Sequence, residues 1–477
     1  MNTIRIPESL IQEVRDYLIN YAPLEAAAYM ICGYYNNSNG IHFTAYDVMY
    51  PEKEDYDEQL TYHLEVSAWF FNKVISRAEY EGVTVIICHS HPFTNNLSYS
   101  PSDDYGEKAS AKTLYECLLG KPCASLLFGQ ENIIGRIWTR PDKKPMELDQ
   151  LRILGTKIEF RELTGTKKKH INEELYSRQI LAFGKLGQEF LSRIKVGIVG
   201  SGGTGSCIAE QLTRLGVKDF YLVDFDKYEE SNKTRIYGST KKTEKTYKTS
   251  IIKKHLNQIE NELRIKEIRY DVFNQNVLKI LTDCDIIFSC TDKHTPRGVL
   301  NQLSYQYYIP VIDVGTGLRS DGNTLIDGSI RATLITPDLP CLFCSEIINA
   351  EIIAVEQLPE RERKERIQEG YIRDFPEIDP SVISYTTTAA GMGVNLFLNS
   401  IFGISKNIRS NNFMNPINYD CLSPYRDFPE CICKQIKGKA QQRDFFAPKI
   451  DLTEAIEMGF FSRIRYWIIS YFNNIIH

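Results

Sequence analysis

Residues 195–210 read K-V-G-I-V-G-S-G-G-T-G-S-C-I-A-E, and this stretch decides the fold of the chain. An apolar run at 196–199 enters a cluster of glycines, and a helical pattern through Ile208 and Leu212 leaves it. The pattern predicts a β-strand, a tight turn and an α-helix. Glycines let the backbone approach a phosphate, and the helix N-terminus attracts the anion. The glycines expected to line a phosphate are Gly200, Gly202, Gly203 and Gly205.

The residues after this turn indicate which nucleotide is bound. A second apolar run at 220–223 leads to Asp224, about 20 residues beyond the last glycine, where such folds place a carboxylate on a ribose hydroxyl. A G-x-G-x-x-G turn alone is weak evidence, since dinucleotide-dependent oxidoreductases share it. Cations suit phosphate oxygens, and an aspartate at the end of a strand can hold magnesium, so the flanking residues favour a triphosphate. These residues are Asp226, Asn232, Arg235, Lys248 and Asp292.

A second chemical pattern lies near the N-terminus. The apolar run 83–88 is followed by H-S-H-P-F-T-N-N-L-S-Y-S-P-S-D-D. Residues two apart on a strand share a face, so His89 and His91 can meet one metal ion. Asp103 from the following turn would complete two nitrogens and one oxygen, the ligand set of a catalytic zinc with one open position. Asp104 is the alternative third ligand.

Length and composition are those of a multidomain globular protein. The 477 residues predict about two to three domains. A net charge of −5 gives no general attraction to nucleic acid or to anionic membranes. The first residues lack the apolar core of a signal peptide, and the run at 459–476 carries Arg463 and Arg465. The 12 cysteines, several in apolar runs, suit a reducing compartment, so we expect a cytoplasmic protein without membrane contact.

The N-terminal pattern resembles a known metalloprotease motif. H-S-H-P, seven residues and then S-P-S-D, with a glutamate upstream, is similar to the JAMM (MPN-plus) motif over residues 1–145. Such enzymes hydrolyse isopeptide or peptide bonds after the C-terminal glycine of ubiquitin-like proteins. The resemblance implies that His89, His91 and Asp103 bind zinc. It also implies that Glu25 is the general base and that Ser100 steadies the oxyanion.

The glycine turn and its flanking residues, with Y-S-R-Q-I at 176–180, resemble the adenylating domain of ubiquitin-activating enzymes and of bacterial ThiF and MoeB proteins. The resemblance spans residues 173–437. It implies that a C-terminal glycine carboxylate attacks the α-phosphate of ATP, giving an acyl-adenylate and pyrophosphate. Asp292 would bind magnesium, and Arg178 would act as an arginine finger across a homodimer interface. The residues implied to bind ATP, with Arg235 and Lys248 also catalytic, are Gly200, Gly202, Gly203, Gly205, Asp224, Asp226, Asn232, Arg235 and Lys248.

Cysteines add a structural metal site to this domain. Cys341 and Cys344 form a C-x-x-C pair, and Cys431 and Cys433 form a C-x-C pair about ninety residues later. The family holds a structural zinc with two C-x-x-C pairs, so the second spacing departs from the pattern. Cys421 is the alternative fourth ligand, and a set of buried thiols is the alternative to a metal.

These patterns predict an α/β protein. We expect a JAMM-type α/β domain at 1–145, a linker at 146–172, a Rossmann-like ThiF-type domain with a mainly parallel sheet at 173–437, and a tail at 438–477 ending in an amphipathic helix over 453–476. A strand and a small-residue helix are expected after position 379. The charged stretch 356–369 is expected to be a mobile cover over the site.

The function expected from both motif sets is bifunctional. One site would process or deconjugate a ubiquitin-like protein after its terminal glycine, and the other would activate that carboxylate with ATP, magnesium and a structural zinc. Residues 345–420 contain no cysteine for a thioester, so the adenylate would pass to an outside nucleophile, such as a separate conjugating enzyme. A bacterial conjugation system, including antiviral defence, is the main interpretation. Processing and activation of a sulfur-carrier protein is the first alternative, and a scaffold that binds zinc and nucleotide without turnover is the second.

Overall fold

The chain forms two compact units. The computed structural model describes residues 1–165, 171–241, 243, 245–369, 380–404, 411–414 (backbone), 428, 430–450 and 452. The first unit comprises the described parts of Met1–Lys167 with Tyr305–Tyr308 and Ile436–Arg443. The second comprises the described parts of Lys168–Ser304, Ile309–Gln435 and Asp444–His477. Part of the predicted linker (166–170), position 379, Cys421 and the predicted helix at 453–476 lie outside the described residues.

A mixed nine-stranded sheet organises the first unit. Its order is β11-β10-β1-β3-β2-β6-β7-β8-β9, and a separate hairpin pairs β4 with β5. The strands are β1 (Thr3–Pro7), β2 (Ala27–Asn37), β3 (Gly40–Met49), β4 (Tyr56–Gln59), β5 (Leu64–Val66), β6 (Thr84–Ser90), β7 (Cys123–Phe128), β8 (Ile133–Trp138), β9 (Met146–Glu147), β10 (Gln150–Leu154) and β11 (Ile158–Glu162).

Three helices pack on this sheet and bury its apolar residues. They are α1 (Glu8–Asn20), α2 (Ala68–Tyr80) and α3 (Pro101–Cys117). One apolar cluster gathers α1 residues such as Val14 with Ile86 of β6, and the other gathers α2 and α3 residues such as Val74 with Val85. Strand β6 contributes to both clusters because its alternate side chains point to opposite faces. The strand that carries the histidines is therefore fixed from both sides.

The segment 146–172, predicted to be a linker, contains three strands of this sheet. β10 pairs in parallel with β1, and β11 pairs with β10. All five residues of β10 are buried, including Gln150 and Arg152. The linker prediction was wrong for residues 146–162 because these buried polar residues conceal the apolar pattern of a strand.

The second unit contains a seven-stranded sheet of order β14-β13-β12-β15-β16-β17-β18. The first five strands in this order are parallel to one another. β17 pairs antiparallel with β16, and β18 pairs antiparallel with β17, so the predicted α/β fold with a mainly parallel sheet is confirmed. The strands are β12 (Lys195–Val199), β13 (Asp219–Val223), β14 (Arg264–Ile268), β15 (Ile286–Ser289), β16 (Val311–Ser320), β17 (Leu325–Ile335) and β18 (Asn411–Met414).

Helices connect the parallel strands. The carboxyl ends of the strands all lie at one edge of the sheet. The helices are α4 (Ser177–Leu191), α5 (Gly203–Arg214), α6 (Lys248–Ile259), α7 (Gln275–Leu281), α8 (His294–Tyr307), α9 (Ala350–Glu356), α10 (Glu360–Gln368), α11 (Ile383–Phe402) and α12 (Ile432–Ile436).

One further expectation differs from the structure. The segment after position 379 was expected to hold a strand before its helix, but residues 380–382 are irregular and α11 begins at Ile383. The charged stretch 356–369, whose role as a mobile cover stays a prediction, contains α10, in which no residue is buried and which carries i,i+4 ion pairs such as Arg361 with Glu365. None of the helices that the structure describes is long and apolar enough to cross a membrane.

Candidate functional sites

A cavity of about 910 Å³ opens at the carboxyl ends of the parallel strands in the second unit. In open α/β sheets this edge is where ligands bind. Segments that directly follow β12, β13, β14 and β15 form much of its wall. The principal lining segments are 199–200, 202–204, 223–226, 270–274, 290–297 and 314–316.

The glycine turn has a conformation and close backbone contacts that favour glycine. Gly200 has φ +95°, and a Cβ there would stand 2.6 Å from the carbonyl oxygen of Cys290. Gly202 is the N-cap of α5 and Gly203 its first residue, and both line the cavity. Gly205 does not line it. A Cβ at Gly205 would stand 1.9 Å from the carbonyl oxygen of Gly200, so this glycine lets α5 pack against the turn.

Asp224 and its neighbours form the next part of the wall. The Asp224 carboxylate accepts the amide of Ser201 at 2.6 Å and the amide of Asp226 at 2.8 Å. Burial raises the pKa of Asp224. Lys248 Nζ lies 2.6 Å from Asp226 Oδ2, so a cation and two carboxylates are held together beside the glycine turn.

The structure brings most of the predicted ATP residues to this cavity and places two, Gly205 and Asn232, elsewhere. Asn232 is buried, and its Oδ1 accepts the amide of Glu229 in the cap of a short 3₁₀ turn. Arg178, predicted to act across a homodimer interface, is exposed on α4 and is not part of the cavity wall. The predicted residues that do line the cavity are Gly200, Gly202, Gly203, Asp224, Asp226, Arg235, Lys248 and Asp292.

The N-terminus of α8 lines the same cavity and was not predicted. Glu356 of α9 accepts the amides of His294 and Thr295 at 2.9 and 2.7 Å. This carboxylate thereby satisfies two of the free amides at a helix start. The sequence could have indicated these residues by their position alone, because they come shortly after Asp292 and the carboxyl end of β15.

A cluster of buried charged residues lies next to this wall of the cavity. Asp313 of β16 is fully buried, and its carboxylate lies 2.7 Å from Arg331 Nη2 and 3.4 Å from Arg297 Nε. Burial would raise the pKa of Asp313, but Arg297 and Arg331 together with the Ser289 hydroxyl lower it. Arg297 also lines the cavity, so the cluster connects the sheet interior to the ligand edge.

The four predicted cysteines of the second unit come together. Cys341 Sγ lies 3.5 Å from Cys431 Sγ, and Cys344 Sγ lies 4.0 Å from Cys433 Sγ. All four sulfur atoms lie within 4.8 Å of one another, a spacing that suits four thiolates around one ion. Hydrogen bonding with Cys433 lowers the pKa of Cys341. The C-x-C pair therefore completes the cluster with the C-x-x-C pair.

The first unit holds a second candidate metal site. Nε2 of His89 lies 3.3 Å from Asp103 Oδ1, and Nε2 of His91 lies 3.5 Å from Asp103 Oδ2. The ligand atoms of the three residues lie within 4.8 Å of one another. Asp104 instead forms an ion pair with Arg136, so the structure brings Asp103 to the histidines. Two imidazoles and a carboxylate fit the donor set of a zinc site with an open position.

Glu25 lies beside this cluster because of strand register. Ala27 of β2 is opposite His89 of β6, and continuing that antiparallel register places Glu25 opposite His91. Glu25 Oε1 is 3.6 Å from His91 Nε2, and burial raises the pKa of Glu25. Glu25 itself lies two residues before the first residue of β2.

Ser100 begins α3 with a capping box. Its Oγ accepts the amide of Asp103 at 3.1 Å, and its own amide donates to Asp103 Oδ2 at 2.6 Å. The cap thus fixes the carboxylate that faces the histidines. Burial would raise the pKa of Asp103, but hydrogen bonds from His89 and His91 lower it well below its usual value.

The parallel sheet, the glycine turn and the charged cavity define a nucleotide-binding α/β protein. The chain belongs to the ThiF family, whose family model matches residues 176–432, just over half of its length.

Curated relatives are similar to this chain over about a third of its length. The adenylyltransferase and sulfurtransferase of Meyerozyma guilliermondii is 29% identical over 150 residues, which cover 31% of this chain and 35% of the relative. The sulfur carrier protein ThiS adenylyltransferase of Bacillus subtilis is 28% identical over 173 residues, covering 35% of this chain and 49% of the relative. The chain thus spans half or less of the length of these two relatives.

Solved structures give a distant likeness of fold. The crystal structure of E. coli MccB matches with a TM-score of 0.44 and 20% identity, over 56% of this chain and 73% of that protein.

Proposed function

We propose that the second unit adenylates the C-terminal carboxylate of a small protein that ends in glycine. The observation that carries the proposal is the gathering of glycine amides, Asp224, Lys248, Arg235 and Asp292 around one cavity at the ligand edge of the sheet. A triphosphate needs backbone amides, cations and a magnesium ligand together, and a nicotinamide cofactor does not. Because the chain belongs to the ThiF family, we propose that the carboxylate attacks the α-phosphate of ATP.

A sulfur-carrier protein is the proposed substrate. The names of both relatives connect adenylylation with sulfur transfer, and one of them names a sulfur carrier as its substrate. These names therefore favour sulfur-carrier activation over the conjugation pathway. The absence of cysteine from 345–420 agrees with transfer of the acyl group to an outside sulfur donor rather than to a thioester on this stretch.

The residues of the cavity have separate roles in this proposal. The amides of the glycine turn and the start of α5 hold phosphate oxygens, and Asp224 accepts the ribose hydroxyls. Arg235 and Lys248 offset the charge that develops as carboxylate attacks the α-phosphate and pyrophosphate leaves. Asp292 is the residue that would hold magnesium, which would neutralise phosphate charge when bound.

Arg178 would reach the nucleotide of a second copy of this chain. It lies on α4, which is kinked at Gly184, and three leucines in and just before this helix are largely exposed: Leu175 at 64%, Leu181 at 89% and Leu186 at 77%. Exposed apolar groups of this kind mark surfaces that become covered on association. We therefore propose that α4 forms a homodimer interface and supplies Arg178 across it.

Exchange between ATP and radiolabelled pyrophosphate tests the adenylation. We expect exchange that requires the carrier protein with an intact terminal glycine, and its loss in Asp292→Ala. The matched control is Asp321→Ala, an aspartate on the β16–β17 turn away from the cavity wall. Exchange unchanged by Asp292→Ala would refute the proposal. Mass spectrometry of the carrier then separates a thiocarboxylate product from a lysine conjugate.

We propose a zinc-dependent peptidase as the second candidate function, located in the first unit. The observation that favours it is the convergence of His89, His91 and Asp103 with the buried Glu25 beside them. A zinc ion held there supplies Lewis-acid polarisation of a carbonyl and of water. Glu25 is the proton acceptor in this proposal. The Ser100 hydroxyl hydrogen is not used by the cap, in which its oxygen is the acceptor, and it can donate to an oxyanion.

Cleavage of a carrier protein extended beyond its terminal glycine tests this second function. We expect cleavage at the glycine by the zinc-loaded chain, and its loss in Glu25→Gln and with a chelator. Glu116→Gln, an exposed change on α3, is the control. Zinc bound at the histidines without any cleavage would instead favour the scaffold interpretation.

The four-cysteine cluster is proposed to hold a structural zinc. The supporting facts are the burial of Cys341, Cys344 and Cys433 and the close spacing of all four sulfur atoms. Four thiolates close the coordination sphere, so this ion would stabilise the fold rather than react.

A further inference from the structure

Glu107 is a buried carboxylate directly behind the candidate zinc ligand His89. It projects from α3, two turns after the capping box, and only 6% of it is exposed. Its Oε1 lies 4.0 Å from His89 Nδ1. The motif that indicated the metal site does not include Glu107.

The two oxygens of Glu107 have different surroundings. Oε2 accepts three hydrogen bonds, from the Ser125 hydroxyl at 2.7 Å, Arg136 Nε at 2.8 Å and Trp138 Nε1 at 3.2 Å. Oε1 is buried and has no hydrogen-bond partner among the described residues. A buried carboxylate oxygen without a donor is costly, so a partner is expected for it. His89 is the adjacent group that can supply one.

The orientation of His89 matches this role. Its Nε2 faces Asp103, as does Nε2 of His91, so both rings direct the same nitrogen to the candidate metal position. A histidine that binds metal through Nε2 carries its proton on Nδ1, and an outer carboxylate that accepts this proton fixes the tautomer and the ring. The donors on Oε2 hold Glu107 beside the ring, and the 4.0 Å between Oε1 and Nδ1 must shorten by about 1 Å for a hydrogen bond to form.

We propose that Glu107 is a positioning residue for the metal site, which accepts the Nδ1 hydrogen of His89 and keeps Nε2 available as a zinc ligand. This inference rests on the proposed metal site of the first unit. It adds a residue to that site and explains why an ionisable side chain is retained inside the apolar cluster of α2 and α3.

Glu107→Gln is a selective test of this contact. The amide oxygen can replace Oε2 and keep all three donors satisfied, while the amide nitrogen then stands where Oε1 was. A donor now faces the Nδ1 hydrogen of His89, which disfavours the tautomer that binds metal. We expect zinc affinity to fall by about 10- to 100-fold, the usual effect of losing such an outer-shell partner.

Ser125→Ala is the matched control. It removes one of the three donors to Oε2 but leaves Oε1 and its charge beside His89. A purely structural network predicts similar metal binding in both variants and a loss of thermal stability in both. The positioning role predicts a loss of zinc affinity in Glu107→Gln alone.

The measurement is metal titration of the full chain, with zinc competition against a chelator and with the visible spectrum of cobalt. The spectrum of His89→Ala is subtracted from each variant, which removes the contribution of the four-cysteine cluster. We expect a weakened and altered cobalt difference spectrum in Glu107→Gln and a wild-type spectrum in Ser125→Ala. If Glu107→Gln does not fold, Glu107→Asp keeps the charge beside Arg136 and withdraws the carboxylate from His89, so it should weaken zinc binding in the same direction.

The outcomes separate the two proposals. If the His89→Ala variant binds as much metal as the wild type, both the metal site and this inference are overturned. Zinc binding that needs His89 but is equal in wild type and Glu107→Gln would overturn the positioning role and leave the metal site standing.

Discussion

Gly205→Ala tests the close packing of the glycine turn against α5. The new Cβ would stand 1.9 Å from the carbonyl oxygen of Gly200, whereas real Cβ contacts are essentially never below 3.0 Å. Either α5 or the Gly200 turn must therefore move by at least about 1 Å, in a part of the fold that cannot compress. Overpacking of this kind costs about 1–3 kcal/mol.

The shift should affect both stability and nucleotide binding. For a unit of this size we expect the melting temperature to fall by roughly 2–12 °C, from about 2–4 °C for each kcal/mol. The rise in melting temperature on adding ATP should also shrink, because the amides of Gly200 and Gly202 move with the turn.

Differential scanning fluorimetry with and without ATP measures both effects, and Gly391→Ala is the control. Gly391 lies inside α11, where a Cβ would meet nothing within 4 Å, so alanine should be neutral or stabilise by about 0.4–1 kcal/mol. A Gly205→Ala protein with the melting temperature and ATP response of the wild type would show that the packing argument is wrong.

Three further predictions address the second unit. Asp313→Asn leaves Arg331 buried without its charge partner, so urea unfolding should show a loss of about 3–5 kcal/mol. Because the folded state lowers the pKa of Asp313, its contribution is present above the unfolded pKa of about 3.9 and is lost as pH falls further, and the variant should lack this acid dependence. Cys433→Ser should lower the zinc content by about one ion per chain in elemental analysis, and wild-type zinc content would contradict the proposed cluster. Glu356→Gln weakens the contact of α9 with α8, so limited proteolysis should cut 350–369 faster, with Glu362→Gln on exposed α10 as the control.

Local patterns in the sequence were enough to predict the nucleotide edge of the fold. The apolar run, the glycines and Asp224 follow one another along the chain, and the rule for strand ends in parallel sheets brings Asp292 to the same edge. The role of Gly205 could not be predicted from the local pattern. A glycine that contacts phosphate and one that contacts another backbone segment look alike in a sequence. Only the distance to Gly200 separates them.

Long-range partners account for most of what sequence reasoning missed. Glu107 is 18 residues from His89 along the chain, and nothing in the spacing of α3 indicates that it faces a neighbouring strand. Glu356 meets His294 across 62 residues. Asn232 was assigned to ATP by its position in a motif, but its side chain completes a local cap. Polar side chains have several ways to be satisfied, and the sequence does not specify which one the fold selects.

The S-P-S-D segment supports two interpretations, and the structure shows that they are compatible. A serine followed three residues later by an acidic residue is a capping box, which needs no metal and starts many helices. Here the cap uses Oδ2 of Asp103, through the amide of Ser100, and leaves Oδ1 directed at His89 at 3.3 Å. The cap alone cannot explain why His89 of β6 and His91 directly after it converge on the same carboxylate, since a helix N-terminus is satisfied without them. The register of β2 with β6 brings Glu25 to the group and α3 brings Glu107, so three elements, the end of β6, the segment before β2 and α3, direct ionisable side chains to one cluster. Burying these ionisable groups is unfavourable unless they are paired or coordinate a metal, and a bound cation is the partner that we propose for them.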